Sequence, residues 1–529
     1  EVTYKNAPEG YKVVEENGVW TVVNDVAKIG EVRYTSLAKA VAAVKDGETI
    51  TLVADEVFTE NNYYDNGGWK DGLGYSGDKS FTIDLNSKTI RQDGALNDYL
   101  IWIKNDGSKA NTITLKNGTL DAGTTAYCAL ATASSNKQKI TINLEDINLV
   151  GNNSNGAVAK IRGGAEMNVK SGTVITGKNN YVGIEAVGNN TVVNIYDNVN
   201  IYQNGTGSYV GAIVGASYNA TMNIYGGYGK SAKCGIIVMS TGATINVSGG
   251  EWIANNDGTV ANDNNAVLVS QNNRYETGWA CKSILNVTGG TFKGGYNCYG
   301  MGPGVEPNDA QINIKGGNFN SNPENYVVAG YKAEQENGLY TVVKIDLADN
   351  FADNSWDNII YACQNNIVPS TWNVGDKKDM TIGDSTCNIV IIGKEHDVYT
   401  DGSGHAPLTL QLADVYAKTA AMNATATNAT GWSGSKMRTT TMVEILSVMP
   451  TEVQNAIKAV DKETLKGDGS GLETTSDKLF LLSLMECYGS TFYSNGYEEG
   501  KKYAYYENKE NRVMSSTWWL RGPGINNGK

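Results

Sequence analysis

Thr221-Met-Asn-Ile-Tyr-Gly-Gly227 and, one repeat later, Thr244-Ile-Asn-Val-Ser-Gly-Gly250 are two copies of one pattern. Alternation of apolar, Asn and apolar puts two side chains on one face of a short strand and the Asn on the other. Gly-Gly follows, where the backbone must bend without a Cβ. Outward from this pair the pattern recurs as Ile83-Asp-Leu85, Ile113-Thr-Leu115, Ile142-Asn-Leu144, Met167-Asn-Val169, Val193-Asn-Ile195, Leu285-Asn-Val287 and Ile312-Asn-Ile314. Neighbouring copies lie from 23 residues (222 to 245) to 40 residues (245 to 285) apart. One supersecondary unit per copy at such a period marks a solenoid. A second column of short apolar segments precedes the copies: Leu100–Lys104, Val182–Val187, Val210–Gly215, Gly235–Ser240 and Ala266–Ser270. Two or three strands per coil with no helix between them predict a parallel β-helix over residues 80–320. Its expected hand is right, the preference of parallel crossovers, with Ile195, Ile224 and Val247 stacked inside.

Composition agrees. Gly (61) is abundant, Pro (8) scarce, and charged residues make up only 19% of the chain, which suits short strands and tight turns better than long helices. The expected class is mainly β: the solenoid, then a smaller α+β domain. A net charge of −13 with no Lys/Arg cluster would repel a nucleic-acid backbone. The longest apolar runs, such as Leu479–Leu482, are far too short to cross a bilayer. Seven Cys, an odd count without a C-x-x-C, argue against a zinc ribbon or a disulfide framework, and most read as buried small hydrophobes. No cofactor and no metal is expected.

The Asn column (Asn143, Asn168, Asn194, Asn223, Asn246, Asn286, Asn313) would stack coil on coil. It reads either as a polar recognition face or as a hydrogen-bonded ladder that keeps register, the commoner use of stacked Asn. The open ends of the rod need covering. Leu37, Val41 and Val44 share a face of a helix expected over Thr35–Lys45, with Thr35 or Ser36 as cap and Gly47 as stop; Thr49–Leu52 then begins the first coil. Gly10–Val23 repeats as Gly330–Val343, and the second copy reads as a closing hairpin turning at Asn337-Gly338. The first copy therefore reads as the tail hairpin (1–24) of a preceding module in a tandem array, with the β-helix over 25–343 and a third region over 345–529. Tail hairpin, a Y-x-S-L-x-x-A-V-x-x-V-x-D-G-x-T-I-x-L start (34–52) and the coils together resemble the pectate-lyase-like β-helix modules of large bacterial surface proteins, over residues 7–343.

The third region changes texture. Trp356, Ile359, Ile360 and Cys363 share a helical face, Met442–Val460 reads as helix around Pro450 with Thr451 as a cap, and Leu479–Leu482 reads as a buried strand. Trp372-Asn-Val-Gly-Asp376, His396-Asp397, Met437-Arg438, Leu479-Phe-Leu-Leu-Ser483 and Trp518-Trp-Leu-Arg-Gly-Pro523 resemble, over 350–523, an uncharacterised domain family of Gram-positive surface and phage proteins. Gly522 stands where that family usually has Ser, and members normally continue further, which implies a domain truncated at its C-terminus. The W-L-R end is similar to C-type-lectin-like folds, an analogy that speaks to fold rather than function.

Many β-helices cleave polysaccharides, which takes acids gathered at a common phase of the coil. Asp121, Glu145, Asp146, Glu166, Glu185 and Asp197 share none, the Gly-His-Gly and Arg-Ile-Lys motifs of pectin hydrolases are absent, and the solenoid has no His. The two histidines, His396 and His405, flank Asp397 and Asp401: a metal or acid–base site on one reading, a structural turn on the other. Aromatic insertions carry more. Tyr63, Tyr64, Trp69 and Tyr75 sit among Asn, Asp and Gly in 62–76; Tyr275, Trp279, Tyr296 and Tyr299 form a second group in consecutive coils. Ring faces edged by amides and carboxylates suit sugars, whereas the same rings could simply pack loops onto the rod. The expectation is a non-enzymatic, extracellular, adhesin-like surface protein binding a glycan or host surface. The alternatives are a structural stalk or phage virion component and, third, a polysaccharide-degrading enzyme.

Overall fold

The computed structural model describes residues 11–16, 18–204, 211–239, 242–254, 266–272, 283–300, 310–492 and 494–523, with backbone only at 12, 14, 16, 271, 272, 297–300 and 310. The chain forms two compact units, Glu1–Lys344 and Ile345–Lys529.

The first unit is a parallel β-solenoid of about 8 turns. One coil shows the construction: strands Val182–Val187, Val192–Ile195 and Asn200–Gln203. They are separated by bends at Gly188 and Asn190, then Asn198, all at positive φ. Each strand pairs in parallel with its counterpart one coil on, so that Ile195 lies against Ile224 and Ile224 against Val247. All three are buried. Complete burial of such a side chain stabilises by roughly 1.5–3 kcal/mol, and the same column repeats in every coil. Gly-Gly is required where coils touch: Gly250 has φ 89°, and a Cβ there would sit 2.7 Å from the Gly227 carbonyl oxygen.

The Asn column forms a continuous ladder. Each Nδ2 donates to the Oδ1 one coil earlier, from Asn168 to Asn143 through Asn313 to Asn286, at 2.9–3.1 Å. Asn143 ends it on Thr114 Oγ1. A side chain that spends its amide on its neighbour fixes the strands' register.

At the N-terminal end, strand Ala27–Ile29 pairs antiparallel with both Val32–Tyr34 and Thr49–Leu52. The covering helix, Leu37–Ala43, buries Leu37, Ala40 and Val41. Of the two caps considered, Ser36 is the one used, accepting from Lys39 N–H, and the buried Glu56 carboxylate takes the Leu37 N–H at 2.6 Å. The helix ends before Gly47 because Val44 already turns to ψ 140°. At the other end, hairpin strands Tyr331–Glu336 and Leu339–Lys344 close the rod, Leu339–Lys344 running antiparallel to Gly317–Phe319.

The second unit holds a three-stranded antiparallel sheet (Lys377–Ile382, Ser385–Gly393, Thr409–Leu412) and a hairpin (Val460–Leu465, Leu472–Asp477). Helix Trp356–Gln364 buries Ile359 and Ala362. Two readings need correction. Pro450, not Thr451, occupies the cap of helix Thr451–Ala456, and no side chain bonds there. Leu479–Leu482 is not a strand: its carbonyls go to Arg521, with Leu482 O accepting from the Arg521 amide and Leu481 O from its guanidinium. The backbone amide and the side chain of one residue take the bonds that a neighbouring strand would have made.

Candidate functional site

Between strands Glu56–Phe58 and Leu73–Ser76 the chain leaves the rod as a small hairpin. Tyr64–Asp65 pairs antiparallel with Lys70–Asp71, and its turn closes through Asn66 N–H to Trp69 O and Gly68 N–H to Asp65 Oδ1. The hairpin is pinned to the next coil. Lys70 N–H donates to Asn97 Oδ1 at 2.7 Å. The buried Asp71 carboxylate accepts from Tyr99 N–H at 2.9 Å and from Asn66 Nδ2 at 3.1 Å. Burial pushes the Asp71 carboxyl up to about 7, and these two bonds only partly oppose it.

This anchoring lays Tyr64 over Gly74, where any Cβ would collide with the ring, and stacks it on Trp102 at 6.1 Å between centroids and 22° between planes. Trp69, at the turn, is 57% exposed. Tyr63 is half-buried beneath the Lys70 ammonium, 5.1 Å from its ring centroid, and Lys70 pairs with Glu60. The result is a surface of ring faces edged by Glu60, Asp65 and Lys70, chemistry that suits the apolar face and hydroxyls of a sugar. Trp102 was not singled out from the sequence. Its signal was nonetheless there, since Ile101 and Ile103 point into the core and the residue between them must point out.

Other expected contacts fall elsewhere. Tyr75 is buried, edge-on to Phe81, and its hydroxyl accepts from Lys79 N–H. Tyr296 packs edge-on against Phe319 and Tyr326 and donates to Ser321 O. Both serve packing here. Tyr275 and Trp279 lie outside the described residues, as does the Tyr299 side chain. The solenoid acids Glu145, Glu166 and Glu185 each pair with a lysine, Lys170, Lys139 and Lys160 respectively.

In the second unit the signature motifs converge on a buried charge network. Arg521 binds both oxygens of Glu486, Thr464 Oγ1 and the carbonyls of Glu463, Leu481 and Glu499. Lys462 pairs with Glu486 at 2.7 Å and Asp397 at 2.8 Å. Tyr503 accepts from Lys462 and donates to Asp397. Burial would raise the carboxyls of Asp397 and Glu486, but the cations overcome it and hold both low; Glu499, with a weaker share of them, is raised by burial. Glu486 also completes a capping box with Ser483 on helix Leu484–Tyr488. Trp432 and Arg438 share Asp477 in the same manner. His396 stacks on Tyr503 and His405 bridges to Val398, so the His-Asp segment is part of this scaffold. Beside it lies a cleft of about 1930 Å³ lined by Tyr399, Tyr416, Phe480, Trp518 and Trp519.

A family model described as a domain of unknown function, DUF6273, matches residues 408–529. It covers Tyr416, Phe480, Trp518 and Trp519 of the cleft and Arg521, but not Tyr399, and under half of the chain. No curated protein and no solved structure matches. Among the described residues no helix is long and apolar enough to cross a membrane.

Proposed function

We propose that this is an extracellular, adhesin-like surface protein whose β-helix stalk carries a glycan-binding aromatic surface at Tyr64 and Trp69. One observation carries the reading: Trp69 stands exposed at the turn of the same small hairpin whose Tyr64 the rod holds flat on Trp102. Rings fixed by a rigid scaffold bind without first being ordered. The lysine partners of Glu145, Glu166 and Glu185 favour a binding stalk over a hydrolase, which needs two carboxylates facing one bond. In this reading the C-terminal unit, with its lectin-like motif, supplies a second binding module through its aromatic cleft.

Glycan-array binding of the intact protein, followed by titration of the best ligand, tests this. Stacking contributes about 0.5–1.5 kcal/mol, so Trp69→Ala should weaken affinity about two- to tenfold, and Tyr64→Ala with Trp69→Ala more. Unchanged affinity in a double variant with unchanged melting removes this loop as the site. Release of reducing or unsaturated ends from a polysaccharide would replace the reading with an enzymatic one.

A further inference from the structure

The hairpin that closes the rod has a near-duplicate that pairs with no further strand among the described residues. Gly10–Val23 and Gly330–Val343 differ only at Val13, Val14, Glu15, Val19 and Trp20. Their strands pair in the same register: Tyr11 with Asn24 and Val13 with Val22 in one, Tyr331 with Lys344 and Ala333 with Val342 in the other.

Their surroundings differ. In the second copy, Thr341 faces Asn318 and donates its hydroxyl to it, Tyr340 faces Phe319, and Val342 is only 4% exposed on the rod's core. Tyr331, Ala333 and Tyr340 pack beside it. The first copy forms a two-stranded sheet with no third strand among the described residues. Val22, the counterpart of Val342, is 51% exposed, and Tyr11, the counterpart of Tyr331, is 45% exposed. The sequence that one copy uses to cover a core is therefore turned to solvent in the other.

We propose that Tyr11–Asn24 is a docking element for the open end of another β-helix module. Its second strand adds antiparallel to the free edge of that module's last parallel strand, and Val22 covers the end of its core. The occupied copy supplies the chemistry of the partner: an unpaired strand edge beside exposed aromatic and aliphatic core residues, as Gly317–Phe319 would be without its hairpin. The rod end of an identical copy does not qualify, because its own hairpin already fills that edge.

Two variants of the full chain test this. In the first, residues 331–344 are replaced by the sequence of 11–24. The first unit should melt within a few degrees of wild type, whereas the same chimera with Asp at the position of Val22 should melt as low as a chain lacking 331–344. A chimera no more stable than that deletion overturns the proposal. In the second, the chain lacking 331–344 offers a bare end to its own N-terminal hairpins and should associate head to tail in analytical ultracentrifugation, with Val22→Asp returning it to single copies. Association indifferent to Val22→Asp, or none at all, overturns the proposal. So does a wild-type chain already associated through Val22, because the occupant would then be an identical copy.

Discussion

In the β-helix each structural side chain repeats the one a coil earlier, whereas in the C-terminal unit the decisive side chains occur once each. Ile195, Ile224 and Val247 are one position copied along the rod, and Asn194, Asn223 and Asn246 another. Arg521, Glu486, Lys462 and Asp397 come from four separated segments and meet only in the fold. The rod therefore distributes its stability over many equal contacts between neighbouring coils. The second unit concentrates its stability in a few buried charges, each of which is expensive to leave unpaired.

The largest expected effect should break the rod. Ile224→Asp places an unpaired charge among fully buried neighbours and removes apolar burial, roughly 5 kcal/mol or more. Circular dichroism should show loss of β-structure from the first unit while the second melts as before. A rod that keeps its melting temperature would refute the stacked core.

Next comes the second unit. Arg521→Met should cost about 3–5 kcal/mol, because Glu486 stays buried with only Lys462 beside it. Glu486→Gln added to Arg521→Met should cost less than Glu486→Gln alone, since the charge it removes has already lost its partner. Additive losses in chemical denaturation would mean that the pair is not coupled.

One pH effect belongs to the rod. Asp71, raised by burial from 3.8 to about 7, is protonated in the folded state where the unfolded chain has lost its proton. Its contribution is thus fully present below about pH 4 and declines as pH rises to about 7. The total change is on the order of 4 kcal/mol at ~1.36 kcal/mol per pH unit. Asp71→Asn should reduce the slope of the first unit's stability between pH 4 and 7, leaving the smaller part that the Glu56 and Asp98 carboxyls, also raised by burial, contribute. An unchanged profile would show that another group titrates.

The smallest effect concerns the ladder. Asn223→Ala breaks the bonds to Asn194 and Asn246, worth about 1 kcal/mol each at most when water can replace them. Asn223→Thr should recover part of the loss, because Thr114 already serves as a rung for Asn143. Equal melting of the Ala and Thr variants would show that the hydroxyl does not substitute.

Legibility followed the same division. The coil strands, their inward residues, the Asn column and the covering helix could be read because a period repeats each signal several times. Within the aromatic loop, residue type located Tyr64 and Trp69 correctly at the surface but could not separate them from Tyr75, which the rod buries. In the second unit, Leu479–Leu482 looked like a strand because apolar runs do. Nothing local announced that Arg521, some forty residues on, would take its carbonyls.

The sequence by itself determined the solenoid, its register and the positions of its bends, since strand alternation and glycine conformation act over neighbouring residues and are then copied. Only the tertiary structure decided which aromatic rings reach solvent and which acids meet cations. It also decided that of two nearly identical hairpins one is buried on a core and the other is not. Those outcomes depend on what lies across the fold from a residue, and a linear pattern carries no record of that.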